Sequence, residues 1–110
     1  MTNLVQIARG QLSRLPEVTA LVISDRSGAL LEATGDIDGE AAGAVYTVAA
    51  EALERAGDQL GLGPLSRASI AGPASACIVA VHDDGVVGIH VDPKKPIGGI
   101  EKKLDGVFRR

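Results

Sequence analysis

Residues 20–35 read ALVISDRSGALLEATG and residues 36–61 read DIDGEAAGAVYTVAAEALERAGDQLG. The first stretch belongs to a run of β-branched residues from Val18 to Ser24 that meets Asp25-Arg26-Ser27-Gly28, turn chemistry with a glycine where φ is positive. An extended run resumes over 29–33, so the stretch predicts a β-hairpin. The second stretch predicts a long helix. Asp36 or Asp38 can cap it, Glu40 adds negative charge to its first turn, and Gly61-Leu62-Gly63-Pro64 stops it after about Leu60.

At about 100° per residue, Ala42, Val45, Ala49, Leu53, Ala56 and Leu60 fall on one stripe of this helix. Ala41, Ala44, Val48 and Ala52 form a second stripe roughly 100° away. Packing on one sheet needs a single stripe, so the second predicts contact with another element or another molecule. Small residues there let two backbones approach closely. If the contact is symmetric, the same stripe meets itself across a two-fold axis, which predicts a homodimer.

Outward from this core, Leu4, Ile7, Ala8, Gln11 and Leu12 share a face of a short first helix over 3–14, with Thr2 or Asn3 as cap and Leu15-Pro16 as its end. Beyond the long helix, three strands are predicted at 65–71, 76–82 and 86–91, separated by Gly72-Pro73-Ala74-Ser75 and Asp83-Asp84-Gly85. The first of them, containing Leu65, Ala68 and Ile70, is the most polar and reads as a rim strand able to pair with a second chain. Asp92-Pro93-Lys94-Lys95-Pro96 breaks the sheet, and Ile97, Ile100, Leu104, Val107 and Phe108 recur at helical spacing to the end. The order α-β-β-α-β-β-β-α predicts an α/β fold of the α+β kind: helices packed on one mostly antiparallel five-stranded sheet.

With 110 residues the chain forms one domain, 1–110, able to bury a core without metal or disulfide staples. Apolar residues make up 45% and aromatics 2%, so the core is expected to be aliphatic. A net charge of −3 and two aromatic rings, Tyr46 and Phe108, argue against nucleic acid as a partner. The N-terminus shows no secretory pattern and no apolar run reaches about 20 residues, which predicts a cytoplasmic protein without membrane insertion.

Reactive constellations are missing from the sequence. Cys77 is the one cysteine and sits within ACIVAV, where it reads as a small buried hydrophobe. His82 and His90 fall on neighbouring strands but offset along the ladder, and no third ligand accompanies them, so no metal site is expected. Asp83 and Asp84 read as turn residues, the serines lack a nucleophile-elbow context, and neither Gly61-Leu62-Gly63 nor Gly98-Gly99 has the setting of a phosphate loop. No catalytic residue and no cofactor is predicted. Lys94, Lys95, Lys102, Lys103, Arg109 and Arg110 make the C-terminal part basic against an acidic central helix, a contrast that reads as a solvated surface or as steering of a partner.

ALVISDRSGALLEATG with DIDGEAAGAVYTVAAEALERAG resembles the opening hairpin and central helix of the roadblock (dynein light chain) family, in its bacterial gliding-regulator branch. ASIAGPASACIVAVHDDGVVGIHVDPKKPIGGIEKKL is similar to that family's three remaining strands and last helix, and the likeness runs from about Leu4 to Phe108. The resemblance implies a profilin-like sandwich and dimerisation through the long helix and the adjoining strand, carried here by Ala41, Ala44, Val48, Ala52, Leu65, Ala68 and Ile70. It also implies a non-catalytic partner of a small Ras-like GTPase, one that can stimulate GTP hydrolysis by repositioning the GTPase's own residues. A structural dimerisation scaffold is the alternative reading, and a ligand-sensing domain, disfavoured by inward positions that read as Ala, Val, Ile and Leu, is the third.

Overall fold

Asp25 gathers the first turn around one oxygen. The computed structural model describes residues 6, 8–82, 85–92, 94 and 97–107, with β1 at Val18–Asp25 and β2 at Leu30–Thr34. Between them, Asp25 Oδ1 accepts from the Ser27 N–H at 2.9 Å, the Ser27 hydroxyl at 2.6 Å and the Ala29 N–H at 3.1 Å. Gly28 takes φ +95°, as the turn sequence predicts. These donors favour the ionised carboxylate, so Asp25 titrates below its ordinary range, through the Ser27 hydroxyl first and the Ala29 N–H second. Because the folded pKa is the lower one, the stabilisation is present above the unfolded pKa and is lost as pH falls through the folded value. In an NMR titration the Ser27 and Ala29 amide shifts should follow Asp25 with a midpoint below 3.8; a midpoint at or above it contradicts this turn.

The remaining strands are β3 (Arg67–Ala71), β4 (Ala76–His82) and β5 (Gly85–Val91). The sheet order is β2-β1-β5-β4-β3, and every neighbouring pair is antiparallel. The strand expected at the rim, β3, is a rim strand. It starts two positions later than its sequence suggested, at Arg67, although the Val81 N–H still bonds to the Ser66 carbonyl at 2.9 Å.

Strand alternation sends two sets of apolar side chains to opposite faces. On one face Leu21, Ile23, Ile78, Ala80, Val87 and Ile89 meet Leu12 and, from the helix Ile97–Val107, Ile100 and Leu104. On the other, Val22, Val79 and Val86 meet Tyr46 and Ala50 of α1, Gly39–Gln59. The helix Ile97–Val107 is α2, and its buried Ile100 and Leu104 are two of the five residues that the sequence read at helical spacing. With both faces covered, the central strands β1 and β5 read as nearly continuous apolar runs rather than alternating ones.

Of the first helix expected over 3–14, the described residues show Gln6 as helical and Ala8–Leu12 as a π-type turn that ends before Ser13, with Leu12 fully buried and Gln11 exposed. Thr2, Asn3, Leu4 and Ile7 lie outside the described residues, as do Asp83, Asp84, Pro93, Lys95, Pro96, Phe108, Arg109 and Arg110.

Helix α1 begins and ends where its punctuation dictates. Asp38 is the N-cap, its Oδ1 accepting from the Ala41 N–H at 3.3 Å. At the other end Gly61 takes φ +72°, and the Leu62 N–H returns to the Gly57 carbonyl at 2.9 Å. No helix among the described residues is long and apolar enough to cross a membrane.

Candidate interaction surface

Neither of the two apolar stripes is the row of α1 that meets the sheet. That row is Gly43, Tyr46, Thr47 and Ala50. Tyr46 is the largest of the four and lies over Gly88 of β5, where a Cβ would stand 2.1 Å from the ring. Gly43 faces β1, where a Cβ would stand in ordinary contact, 3.5 Å from Val22 and Ser24 side-chain atoms. Thr47 is accommodated because its hydroxyl donates to the Gly43 carbonyl at 2.9 Å and lies 3.1 Å from the Ser24 hydroxyl, which can then donate to it. Rotation toward this row carries the first stripe to the flank. Ala42, Ala49 and Leu53 are half-buried there, whereas Val45, Ala56 and Leu60 are exposed.

The second stripe is uncovered. Ala41, Ala44, Val48 and Ala52 are all exposed, and Val45 beside them joins the same surface; Val45 and Val48 keep 67% and 66% of their accessibility. Ala44, Val45, Val48 and Ala49 frame a shallow hollow of about 380 Å³ on the helix. Nothing polar interrupts this face along the middle of α1.

The sheet continues the surface. Helix α1 lies over β1, β2, β5 and part of β4, leaving the β3 side of the same face open. The result is a groove of about 470 Å³ with Ala41, Val45 and Ala49 as one wall and Ile70, Cys77 and Val79 as the other. Ile70 is 48% exposed on the rim strand. Ala68 shares its face, since Ala68 pairs with Val79 and Ile70 with Cys77 in the ladder. Ser69 points the opposite way, its hydroxyl donating to the Glu101 carboxylate of α2.

The seven residues expected at an interface therefore divide. Ala41, Ala44, Val48, Ala52 and Ile70 are exposed on one face, but Ala68 is half-buried, and half-buried Leu65 packs against the cluster beneath α1 from the loop before β3. Leu65 and Ala68 line a separate cavity of about 360 Å³ with Leu53, Leu60 and Leu62 at the far end of α1.

Polar groups at the groove floor were missed by the aliphatic reading of the inward positions. Tyr46 and His90 meet edge to face, ring centroids 5.6 Å apart and planes at 90°. Burial and the neighbouring Cys77 thiol hold the Tyr46 hydroxyl far above its ordinary value, and burial pushes the His90 imidazole below its own. Both are neutral at pH 7. Cys77 is half-buried rather than fully enclosed. His82 pairs with Gly85 and His90 with Cys77, so the two histidines are offset as the sequence implied. Among the described residues, no group of three or more His, Cys, Asp or Glu side chains converges as metal ligands would.

Asp38 lines one end of the groove, and other charges lie around the surface. Arg26 clamps Glu54 at 3.0 Å, joining the first hairpin turn to α1. Lys103 of the basic C-terminal part is engaged by Glu17 at 2.7 Å.

No protein-family model matches the sequence, and no curated protein matches it. Its fold nevertheless has close counterparts. It superimposes on the Roadblock/LC7 domain from Streptomyces avermitilis with a TM-score of 0.79 at 12% identity, covering 98% of this chain and 93% of that one. The gliding protein mglB from Thermus thermophilus gives 0.77 at 13% identity, over 96% of this chain and 82% of that one. Myxococcus xanthus MglB gives 0.73 at 11%, over 93% and 82% respectively. With the same five-stranded antiparallel sheet between a long helix and a terminal helix, the chain has the roadblock fold.

Proposed function

We propose that this protein is a non-catalytic, homodimeric interaction module that binds a small Ras-like GTPase and favours one of its nucleotide states. The observation that carries the reading is the apolar face of α1, left exposed beside an unpaired rim strand. A 21-residue helix is roughly 30 Å long. Such a helix with its adjoining strand can supply the roughly 800 Å² per partner that a stable interface needs. Side-chain packing of α1 and main-chain pairing of β3 would act together, turning two sheets into one.

The GTPase part of the reading is supported by the resemblance to bacterial roadblock proteins and by the fold shared with two gliding proteins. A partner of this kind needs shape rather than reactive groups. Any acceleration of hydrolysis would come from holding the GTPase's own switch elements and attacking water in place. Stronger binding to one nucleotide state is the sole means by which the module can shift that equilibrium.

The test is binding of a small GTPase encoded beside this gene, loaded with GDP or with a non-hydrolysable GTP analogue, together with its rate of phosphate release. We expect the affinities for the two states to differ by at least about tenfold. Equal affinity and an unchanged rate would contradict a regulatory role and leave the dimer as a scaffold.

A further inference from the structure

The groove between α1 and the β3 side of the sheet has the dimensions of a small-molecule site. Its volume of about 470 Å³ falls within the roughly 300–1,000 Å³ of ordinary ligand pockets. Ala41 and Ala49 on the helix wall are short, which leaves space between that wall and Ile70 and Val79 opposite.

Three side chains at the floor supply polar contacts. Cys77 and His90 are direct partners across β4 and β5, so their side chains lie side by side on the groove face. Tyr46 meets His90 edge to face, and its hydroxyl adjoins the Cys77 thiol. A thiol, a neutral imidazole and a phenol thus converge on one apolar slot, the kind of arrangement that orients a ligand in a largely hydrophobic pocket. The proposed pairing through α1 and β3 uses none of these three groups.

Charge narrows the class of ligand. Among the described residues that line the groove, the one charged side chain is Asp38, at its end. Asp36 and Glu40 lie close to it in the chain and are both exposed. The helix amides there offer an anion little, since the Ala41 N–H donates to Asp38 Oδ1 and the Ala42 N–H to the Asp38 carbonyl. A carboxylate or phosphate would enter against negative charge, whereas a protonated amine would meet it. An aromatic body suits the floor, because it can meet the Tyr46 and His90 rings by face or by edge.

We propose that the groove binds a small aromatic amine, its ring held between Val45 and Ile70 over Tyr46 and His90 and its ammonium group at Asp38. The site belongs to a single protomer and does not depend on the proposed dimer.

The test is titration of the full chain with naphthylmethylamine, followed by calorimetry and amide NMR shifts. It is run on the wild type and on Val48→Glu, which opposes pairing through α1 at a residue that does not line the groove. We expect a dissociation constant of about 1 mM or tighter, with shifts at Ile70, Cys77, Val79 and His90. Naphthoate, the matched anion, should bind at least about tenfold more weakly. Asp38→Asn keeps a side chain that caps the helix and should cut the affinity for the amine by about threefold to tenfold. Ala41→Leu, at an exposed helix position, should fill the slot and abolish binding with the fold intact. Binding to Val48→Glu alone supports the site and shows that a second copy covers it. Naphthoate bound as tightly as the amine overturns the proposal. Failure of the amine to bind either form overturns it as well, and leaves the groove to an apolar side chain of a partner protein.

Discussion

Val48→Glu is expected to convert the protein into a folded monomer. In the isolated protomer Val48 keeps 66% of its accessibility, so a glutamate there meets solvent and the fold should hold to within about 0.5 kcal/mol. In a symmetric pair two carboxylates would be buried against valine and alanine. Burying an unpaired charge costs several kcal/mol, and the two-fold axis imposes that cost twice. The dimer constant should therefore rise by at least about a hundredfold, with an unchanged far-ultraviolet spectrum. A variant that remains dimeric at low micromolar concentration would remove α1 from the interface. One that unfolds would instead show that Val48 is buried within its own chain, against the exposure found here.

Gly88→Val has the second large effect, on stability rather than assembly. A Cβ at this position would lie 2.1–2.5 Å from three Tyr46 ring atoms, and the ring is pinned between α1 and β5. Either the ring leaves its place or α1 lifts from the sheet. Overpacking of this severity should cost about 3 kcal/mol, lowering Tm by roughly 10 °C or more for a domain of this size. Tyr46→Ala alone should cost about 3–5 kcal/mol by opening a cavity. In that background Gly88→Val should add little, because the clash has gone. Additive losses would mean that Gly88 serves β5 for some reason other than the ring above it.

Much of this architecture was legible because its signals are local. Asp25 to Gly28 states its own turn, Asp38 and Gly61 bound α1, and Ile100 and Leu104 declare the inner side of α2 by their spacing. The rim position of β3 was readable from its polarity. The sheet-facing row of α1 was not. Gly43, Tyr46, Thr47 and Ala50 are small or polar, and what makes them the inner row is their fit to Gly88, Val22 and Ser24 on other strands. Hydropathy alone favoured the alanine and valine stripes, and it could not show that a hydroxyl pair would be satisfied in the core.

For the interaction surface the outcome is mixed in an instructive way. The stripe of Ala41, Ala44, Val48 and Ala52 is exposed as its excess of apolar residues implied, and Val45 enlarges it once the helix is turned toward Tyr46. Leu65 was expected at the start of the rim strand. Its position just after Gly63-Pro64 instead makes it an anchor beneath α1. The groove behind Ile70 had no signal in the sequence, since it arises where α1 fails to reach β3.

The central claim is that α1 presents its exposed face to a second copy, and the oligomeric state of the unmodified protein tests it most directly. Sedimentation equilibrium at micromolar concentration should give a species of twice 11.2 kDa that dissociates on dilution. A single 11.2 kDa species at every concentration reached would contradict the account.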